Sequence, residues 1–220
     1  MKRVAGVLAG CGFLDGAEIQ EAVLTQLALE QRGVALDWFA PDRPQHHVVD
    51  HVQGRPLAGE TRNVLAESAR IARGRVRPLA SLDLSQFGGL VMPGGYGAAK
   101  NLCDFAFAGA GMSVLPELAA LVLAARRADL ALGFLCIAPV IAAQVLGRAG
   151  HRPRVTIGSD TATAAAIRSW GAEHVDCTAV EICVNEANRL VSTPAWNAAA
   201  SIVEVAEGVQ ALAGRLVDWL

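Results

Sequence analysis

The chain has 220 residues, of which 53% are hydrophobic, and its formal net charge at pH 7 is −2. This length suits one substantial core, and we predict a single domain over residues 1–220. The near-balance of 19 basic and 21 acidic residues argues against nucleic acid as a partner. The apolar run at 130–143 is too short to span a membrane and is broken by Pro139, so we predict no membrane association.

Five cysteines occur without paired spacing, which favours a reducing compartment and predicts a cytoplasmic location. The N-terminal "LAGC" resembles a lipoprotein cleavage box at Cys11. The apolar segment at 4–9 is shorter than a secretory signal requires, so a first strand is favoured there. The sequence contains neither CxxC nor HExxH, and we predict no metal site.

The first half of the chain alternates predicted strands and helices. Ile19, Val23 and Leu27 recur at i+4, which predicts a helix that Gly33 ends. The predicted elements are a strand at 3–10, a helix at 17–33, a strand at 34–41, a loop at 42–60, a helix at 61–73 and a strand at 88–95.

The second half continues the alternation and ends in a hairpin and a helical tail. The predicted elements are a helix at 114–128, a strand at 130–135, a helix at 137–147, a strand at 154–158, a helix at 161–171, a hairpin at 181–194 with its turn near 185–188, and one or two helices at 195–220 interrupted near Gly208. Such alternation predicts an α/β fold with a mostly parallel sheet and helices on both faces. Ligands of such sheets bind beyond the carboxyl ends of the strands.

Glycines follow two of the predicted strands. Gly10 and Gly12, with Gly16, are spaced G-x-G-x-x-x-G, which is similar to a dinucleotide fingerprint without matching it. The motif is weak evidence, so a nicotinamide site and a plain strand–helix turn are both possible interpretations there. In "MPGGYGAAKNL", the glycine N–H groups could hold an oxyanion or simply form a turn.

Cys136 lies where a predicted strand becomes a helix. Pro139 falls in the first turn of that helix, where its missing N–H is tolerated. The helix N-terminus favours a thiolate, which predicts a lowered pKa and ready oxidation of Cys136. "GFLCIAP" resembles a nucleophile elbow with cysteine in place of serine, although Phe134 is bulkier than such elbows prefer. A buried, inert cysteine fits the same residues, and both interpretations remain open.

Seven segments in this order resemble the ElbB (enhancing lycopene biosynthesis) family of the PfpI-like, class I glutamine amidotransferase-like superfamily. They are "GCGFLDGAEIQEAV", "ETRNVLAESARIARG", "MPGGYGAAKNL", "GFLCIAP", "VTIGSDTAT", "GAEHV" and "VSTPAW". The resemblance runs nearly end to end. It implies a flavodoxin-like three-layer sandwich, a cytoplasmic homodimer and glyoxalase-like activity on glyoxal without a cofactor. A link to isoprenoid production comes with the family.

The resemblance also implies roles for single residues. Cys136 matches the elbow cysteine, Glu21 the glutamate that hydrogen-bonds to it, and Gly95 and the N–H of Ile137 the oxyanion donors. Many relatives carry a histidine after the strand that here reads "RVTIG", where this chain has residues 158–160, "GSD". A Cys–His–Asp triad is therefore not supported, and a Cys–Glu pair is the minimal machinery.

Further residues are expected near this pair. We favour Glu21 over Glu18 because Leu24 and Ala28 extend its stripe, which implies partial burial and a raised pKa. Whether His174 joins the site is open. The expected lining residues are Cys11, Glu18, Gly94, Asn101 and Asp160.

We predict that the chain converts glyoxal, a small dicarbonyl, to glycolate. A hemithioacetal forms on Cys136, and Glu21 moves a proton between the two carbons. The alternative is a redox-responsive binding or stress protein in which the same cysteine is the sensor. The histidines at 46, 47 and 51 and the arginines between 62 and 77 are interpreted as surface features.

Overall fold

Eleven strands and seven α-helices make up a computed structural model that describes residues 2–220. The strands are β1 (Arg3–Val7), β2 (Ala35–Ala40), β3 (Val49–Asp50), β4 (Arg55–Pro56), β5 (Val76–Pro78), β6 (Gly89–Met92), β7 (Ala131–Leu135), β8 (Arg154–Val155), β9 (Glu173–His174), β10 (Cys183–Asn185) and β11 (Leu190–Thr193). The helices are α1 (Ile19–Glu30), α2 (Val64–Ile71), α3 (Phe105–Ala108), α4 (Pro116–Arg127), α5 (Pro139–Arg148), α6 (Thr161–Ser169) and α7 (Ile202–Asp218).

Seven of the strands form one central sheet in the order β10-β11-β7-β6-β1-β2-β5. Only β10 runs antiparallel to its neighbour, as the hairpin prediction requires, and the other pairs are parallel. Because the crossovers between parallel strands are mostly helical, helices cover the sheet. The mostly parallel, flavodoxin-like α/β sandwich predicted from the sequence is therefore confirmed, while its division into one domain stays a prediction.

The two faces of the sheet carry separate hydrophobic clusters. Successive residues of a strand point to opposite faces. Accordingly, Val4 and Val91 pack in the cluster that contains residues of α1 and α7, whereas Ala5 and Leu90 pack in the cluster that contains residues of α4, α5 and α6. All residues of β6 and β7 are buried, so the middle of the sheet is closed to solvent on both faces.

The strand predicted at 154–158 does not join the central sheet. Its ordered part, β8, pairs with β9 in a separate two-stranded sheet. The hairpin strand β11 takes the free edge of β7 instead. β8 remains attached to that hairpin through the Thr156 N–H, which donates to Ser192 Oγ at 2.9 Å. Two further differences are minor: the loop predicted at 42–60 contains the hairpin of β3 and β4, and β5 is an edge strand that the sequence did not predict.

The apolar i+4 repeat from which helix α1 was predicted faces solvent. Ile19, Val23 and Leu27 are 43%, 50% and 46% exposed. The opposite face is buried and includes Glu21 and Ala28. None of the helices in residues 2–220 combines the length and apolar character that crossing a membrane requires.

Helix α7 runs through Gly208 without a break, contrary to the prediction of an interruption there. A Cβ at this position would lie 2.2 Å from the Ala179 carbonyl oxygen and 2.8 Å from Thr193 Oγ1. Gly208 therefore allows α7 to approach the neighbouring backbone closely, while its helical hydrogen bonds continue.

We expect Gly208→Ala to lower the free energy of unfolding by about 1–3 kcal/mol, because the new methyl group overlaps backbone that cannot move aside easily. Gly214→Ala in the same helix is the matched control. There a Cβ meets only the Arg32 side chain, at 3.6 Å, and alanine gains up to about 1 kcal/mol of helix propensity. Urea denaturation of both variants measures the difference, and equal midpoints would contradict the close packing at Gly208.

Candidate active site

Cys136 lies on a sharp turn between β7 and α5. Its φ is +56°, a left-handed conformation that residues other than glycine rarely adopt. The turn is held by the Cys136 N–H, which donates to the Thr193 carbonyl of the adjacent strand at 3.0 Å. α5 then begins at Pro139, two residues after the predicted start, and the proline lies in the first turn as predicted. The elbow geometry expected at this position is present, and strained backbone of this kind is typical of functional sites.

Glu21 lies in the first turn of α1 and is 0% exposed. Its Oε2 accepts the Gly94 N–H at 2.8 Å, and its Oε1 accepts the Trp196 N–H at 3.3 Å. The same carboxyl interacts with the Cys136 thiol. The segments that carry Gly94, Cys136 and Trp196 are far apart in the sequence and meet at this one carboxyl group.

Gly94 and Gly95 follow β6 and pack against the elbow. A Cβ on Gly94 would lie 2.5 Å from the Cβ of Cys136, so a larger residue would push the sulfur away. Gly95 has φ +87°, a conformation that glycine adopts freely. The N–H groups of Gly95 and Ile137 both interact with the Cys136 sulfur. The two predicted oxyanion donors are thus beside the predicted nucleophile.

The Cys136 thiol and the Glu21 carboxyl are both protonated near neutral pH. Burial raises the pKa of Glu21 to about 8, with a further contribution from the charge on Glu18, although the N–H groups of Gly94 and Trp196 oppose the shift. Burial also raises the pKa of the Cys136 thiol, and an ionised Glu21 would raise it further. The pKa shift of Cys136 is opposite to the one predicted from its place at a helix N-terminus, because the residue is only 6% exposed and burial disfavours the thiolate.

Asn197 is the one contact of the sulfur that the sequence did not single out. The Cys136 thiol donates to Asn197 Oδ1 at 3.1 Å. Asn197 lies after β11 and is the residue that directly follows the segment "VSTPAW". The signal that could have found it is position, because this segment follows another parallel strand of the same sheet.

A cleft of about 960 Å³ opens over the sulfur. Of the predicted site residues, Cys136, Gly95, Ile137, Glu18 and Asp160 line it. Glu18 and Asp160 also cap helices: Glu18 Oε2 accepts the Glu21 N–H at 2.6 Å, and Asp160 Oδ1 accepts the Thr163 N–H at 2.7 Å. The carboxyl ends of the parallel strands therefore carry the site, as expected.

Five candidates do not line the cleft: Glu21 and Gly94, which pack against the elbow, and Cys11, Asn101 and His174. Cys11 is half-buried in the turn after β1 and is a free thiol, like the other four cysteines. The Asn101 side-chain amide donates to the carbonyls of Ala9 and Asp15, each at 2.9 Å, which makes it a buried brace between loops. His174 is buried behind the Ile157 backbone, whose N–H lies 3.4 Å from its Nε2.

The remaining polar clusters have structural partners. Among residues 2–220 there is no group of three or more histidine, cysteine or acidic side chains placed to hold a metal ion. The ring of His46 lies 4.2 Å from that of Phe107. Two arginines of the basic run, Arg62 and Arg70, pair with Glu67 at 3.3 and 2.9 Å.

The mostly parallel α/β sheet and its cysteine elbow fit a glutamine amidotransferase-like class 1 protein, and the comparisons agree. No family model matches the chain. The human "Glutamine amidotransferase-like class 1 domain-containing protein 3, mitochondrial" is 40% identical over 225 residues, which cover 98% of this chain and 82% of that protein. The chain belongs to the family of this protein and the ES1 proteins.

Solved structures extend the likeness to the fold. An isoprenoid biosynthesis protein with an amidotransferase-like domain from Ehrlichia chaffeensis superposes with a TM-score of 0.91 at 37% identity, covering 99% of this chain and all of that one. A DJ-1 superfamily protein from Salmonella typhimurium has a TM-score of 0.59 at 20% identity and covers 99% and 91% of the two chains. The latter likeness concerns the fold alone.

The predicted cytoplasmic location is wrong on these comparisons. The human relative is named as a mitochondrial protein, and so are an ES1 homologue of Rattus norvegicus and an ES1 protein of Danio rerio. Free cysteines without paired spacing indicate a reducing compartment, but they do not distinguish among the reducing compartments of a cell.

Glu21→Gln should change how stability depends on pH. The unfolded chain ionises this carboxyl near its ordinary pKa of 4.5, whereas the folded protein holds the proton up to about pH 8. Folded wild type therefore loses stability as pH rises between these values, by about 1.4 kcal/mol per pKa unit of separation. Urea unfolding at about pH 5 and about pH 8.5 should show a larger loss in wild type than in Glu21→Gln.

The matched control for this measurement is Glu30→Gln, which changes an exposed glutamate of the same helix. It should follow the wild-type pH dependence. Parallel curves for wild type and Glu21→Gln would show that Glu21 ionises normally in the folded protein.

Proposed function

We propose that this protein is a cysteine-dependent, glyoxalase-like enzyme that needs no cofactor, acts on dicarbonyls and belongs to the ElbB branch of its superfamily. The observation that carries the proposal is the buried pair of Cys136 and Glu21. Burying two ionisable groups costs stability, which favours a functional role for the pair. A thiol and a carboxyl that can exchange a proton are suited to acid–base catalysis on a bound carbonyl compound.

The chemistry can be written with balanced protons. Glu21 loses its proton first, because its pKa is the lower of the two, and the carboxylate then takes the thiol proton, so the reactive form is a Cys136 thiolate beside a protonated Glu21. The sulfur attacks one aldehyde carbon of glyoxal, and Glu21 gives its proton to the alkoxide, which forms the hemithioacetal. The N–H groups of Gly95 and Ile137 are available to hold the developing oxyanion.

Glu21, now a carboxylate, then removes the proton from the thiol-bearing carbon. An enediolate results, the hydroxyl proton passes from the first oxygen to the second, and Glu21 returns its proton to the second carbon, which gives the thioester carbonyl on the first. The product on the enzyme is a thioester of glycolic acid, an isomer of the hemithioacetal. Water hydrolyses the thioester to glycolate and restores the pair. No electrons enter or leave, because one carbon is oxidised as the other is reduced.

The redox-sensor alternative has less support. A sensor cysteine reacts as an accessible thiolate. The Cys136 sulfur is buried, and burial raises the pKa of its thiol. Oxidation of this thiol first requires the cleft to admit the oxidant and the pair to lose a proton.

Glu21→Gln should fold and lose dicarbonyl turnover by roughly 10²-fold or more, since glutamine keeps the shape but cannot exchange a proton. Cys136→Ala should abolish turnover. Glycolate formed from glyoxal is measured for wild type and both variants. Glu18→Gln is the control on the same helix turn, and its smaller loss separates proton transfer by Glu21 from the general charge of the site.

Turnover of Cys136→Ala at the wild-type rate would rule out the cysteine mechanism. Turnover of Glu21→Gln at the wild-type rate would leave Cys136 acting without a proton-transfer partner. A wild-type rate that rises as pH increases through the loss of the first proton of the pair is also expected. The rise should move when Glu21 is replaced by Gln.

We also propose a homodimer, as the resemblance implies. The stripe of Ile19, Val23 and Leu27 on α1 supports it, because three large apolar side chains in a row are otherwise left in water. A two-fold interface places the same surface on both copies, so a stripe along one helix can pack against itself.

Light scattering should give twice the chain mass of 22.9 kDa at micromolar concentration. Val23→Glu should shift the mass toward one chain, because it would place two like charges in the interface. Val52→Glu is the control, since Val52 is 97% exposed at the tip of the β3–β4 turn. A wild-type mass of one chain would contradict the dimer, and a dimeric Val23→Glu would place the interface elsewhere.

A further inference from the structure

The cleft over Cys136 is far larger than glyoxal. Its volume of about 960 Å³ is at the upper end of the range found for pockets that hold drug-sized ligands, about 300–1,000 Å³. Glyoxal has only two carbons and two oxygens and would contact a small part of such a space. The volume therefore favours a substrate with a sizeable group beyond its two carbonyls.

The walls of the cleft are predominantly apolar. Large side chains come from the loop after β1, the start of α1, the loop after β6, the start of α3, and the segments after β8 and β11. They are Phe13, Ile19, Tyr96, Phe105, Ile157 and Trp196. Phe13 and Tyr96 line the cleft and are about half exposed, so an apolar group bound against them would remove both rings from water.

The charges at the cleft have one sign. Glu18 and Asp160 line it, and among the described lining residues there is no lysine, arginine or histidine. Lys100, which follows the glycine loop, lies over the Tyr96 ring at 5.2 Å and donates to the Leu14 carbonyl at 2.8 Å. A substrate carrying a carboxylate or phosphate would meet two acidic side chains and no cation in the cleft.

We propose that the cleft takes uncharged α-oxoaldehydes that carry an apolar group, and that it discriminates against anionic ones. This inference rests on the proposed function and names its substrate class. The sulfur adds to the aldehyde carbon, and the proton moves to the neighbouring carbonyl carbon. Hydrolysis adds one water and releases an α-hydroxy acid that keeps the apolar group on its hydroxyl-bearing carbon.

Initial rates with methylglyoxal, phenylglyoxal and 4-carboxyphenylglyoxal test this. We expect kcat/KM for phenylglyoxal to exceed that for methylglyoxal by at least about tenfold, because the ring is removed from water. It should exceed that for the carboxylate by about tenfold at low salt, and added salt should reduce this second ratio. The last two substrates share their reacting group, so their ratio reports the cleft rather than intrinsic reactivity.

Asp160→Asn should raise kcat/KM for the carboxylate relative to phenylglyoxal by several-fold, because asparagine also caps helices but carries no charge. Asp83→Asn makes the same change in net charge at a site that precedes β6 and therefore lies toward the amino ends of the parallel strands. It should leave the ratio of the two substrates unchanged.

The outcomes separate the inference from the proposed function. Turnover of methylglyoxal with no preference for phenylglyoxal, or equal rates for phenylglyoxal and its carboxylate, would overturn the substrate class and leave the proposed function standing. Turnover of glyoxal but of none of the three would overturn the substrate class alone, whereas turnover of neither glyoxal nor any of the three would overturn the proposed function as well.

A binding measurement needs no turnover. Cys136→Ala should bind the unreactive ketone acetophenone at least about tenfold more tightly than 4-acetylbenzoate in titration calorimetry at low salt. Equal affinities would overturn the inference irrespective of the kinetics.

Discussion

A carboxyl group with no access to water holds the site of this protein together. Glu21 is kept in place by the N–H groups of Gly94 and Trp196 and lies against the Cys136 thiol. A carboxylate in such a place is strongly disfavoured unless it is paired, so the group keeps its proton and its pKa rises to about 8. The electrostatics of the elbow follow from that one burial.

The same burial fixes the backbone around it. α1 must present Glu21 inward, so its large apolar residues Ile19, Val23 and Leu27 point outward. Gly94 must lack a side chain because the elbow cysteine occupies the space. Cys136 accepts a left-handed conformation that costs roughly 1–3 kcal/mol, and its N–H bond to Thr193 and the packing of β7 hold it there.

Much of the fold could be predicted because the signals are local. Alternating apolar runs and glycine-ended helices located β1, β2, β6, β7 and most helices, and a proline in the first turn located α5. The placement of β8 was not predictable, since competition between two strands for one sheet edge is decided by tertiary packing. Gly208 was misinterpreted because a glycine that permits close packing and a glycine that ends a helix look alike in sequence.

The candidate site was predicted in part for the same reason. Cys136 and Glu21 lie in segments with recognisable patterns, whereas Asn101 lies beside a glycine loop and yet serves as a brace facing away from the cleft. Asn197 carries no pattern, because its role depends on the strand order that brings β11 next to β7. The raised pKa of Cys136 also depends on how deeply the thiol is buried, and a helix N-terminus in the sequence does not predict that burial.

The contacts from Trp196 and Asn197 have a consequence for the timing of synthesis. Trp196 follows Glu21 by 175 residues in the sequence, and Asn197 is the next residue. A chain growing on a ribosome carries Cys136 and Glu21 long before β11 can pair with β7, and domains generally fold as units. Until then the thiol lacks its Asn197 acceptor and the carboxyl lacks its Trp196 donor. The site around the nucleophile is therefore completed only after the segment that carries Trp196 and Asn197 has been made.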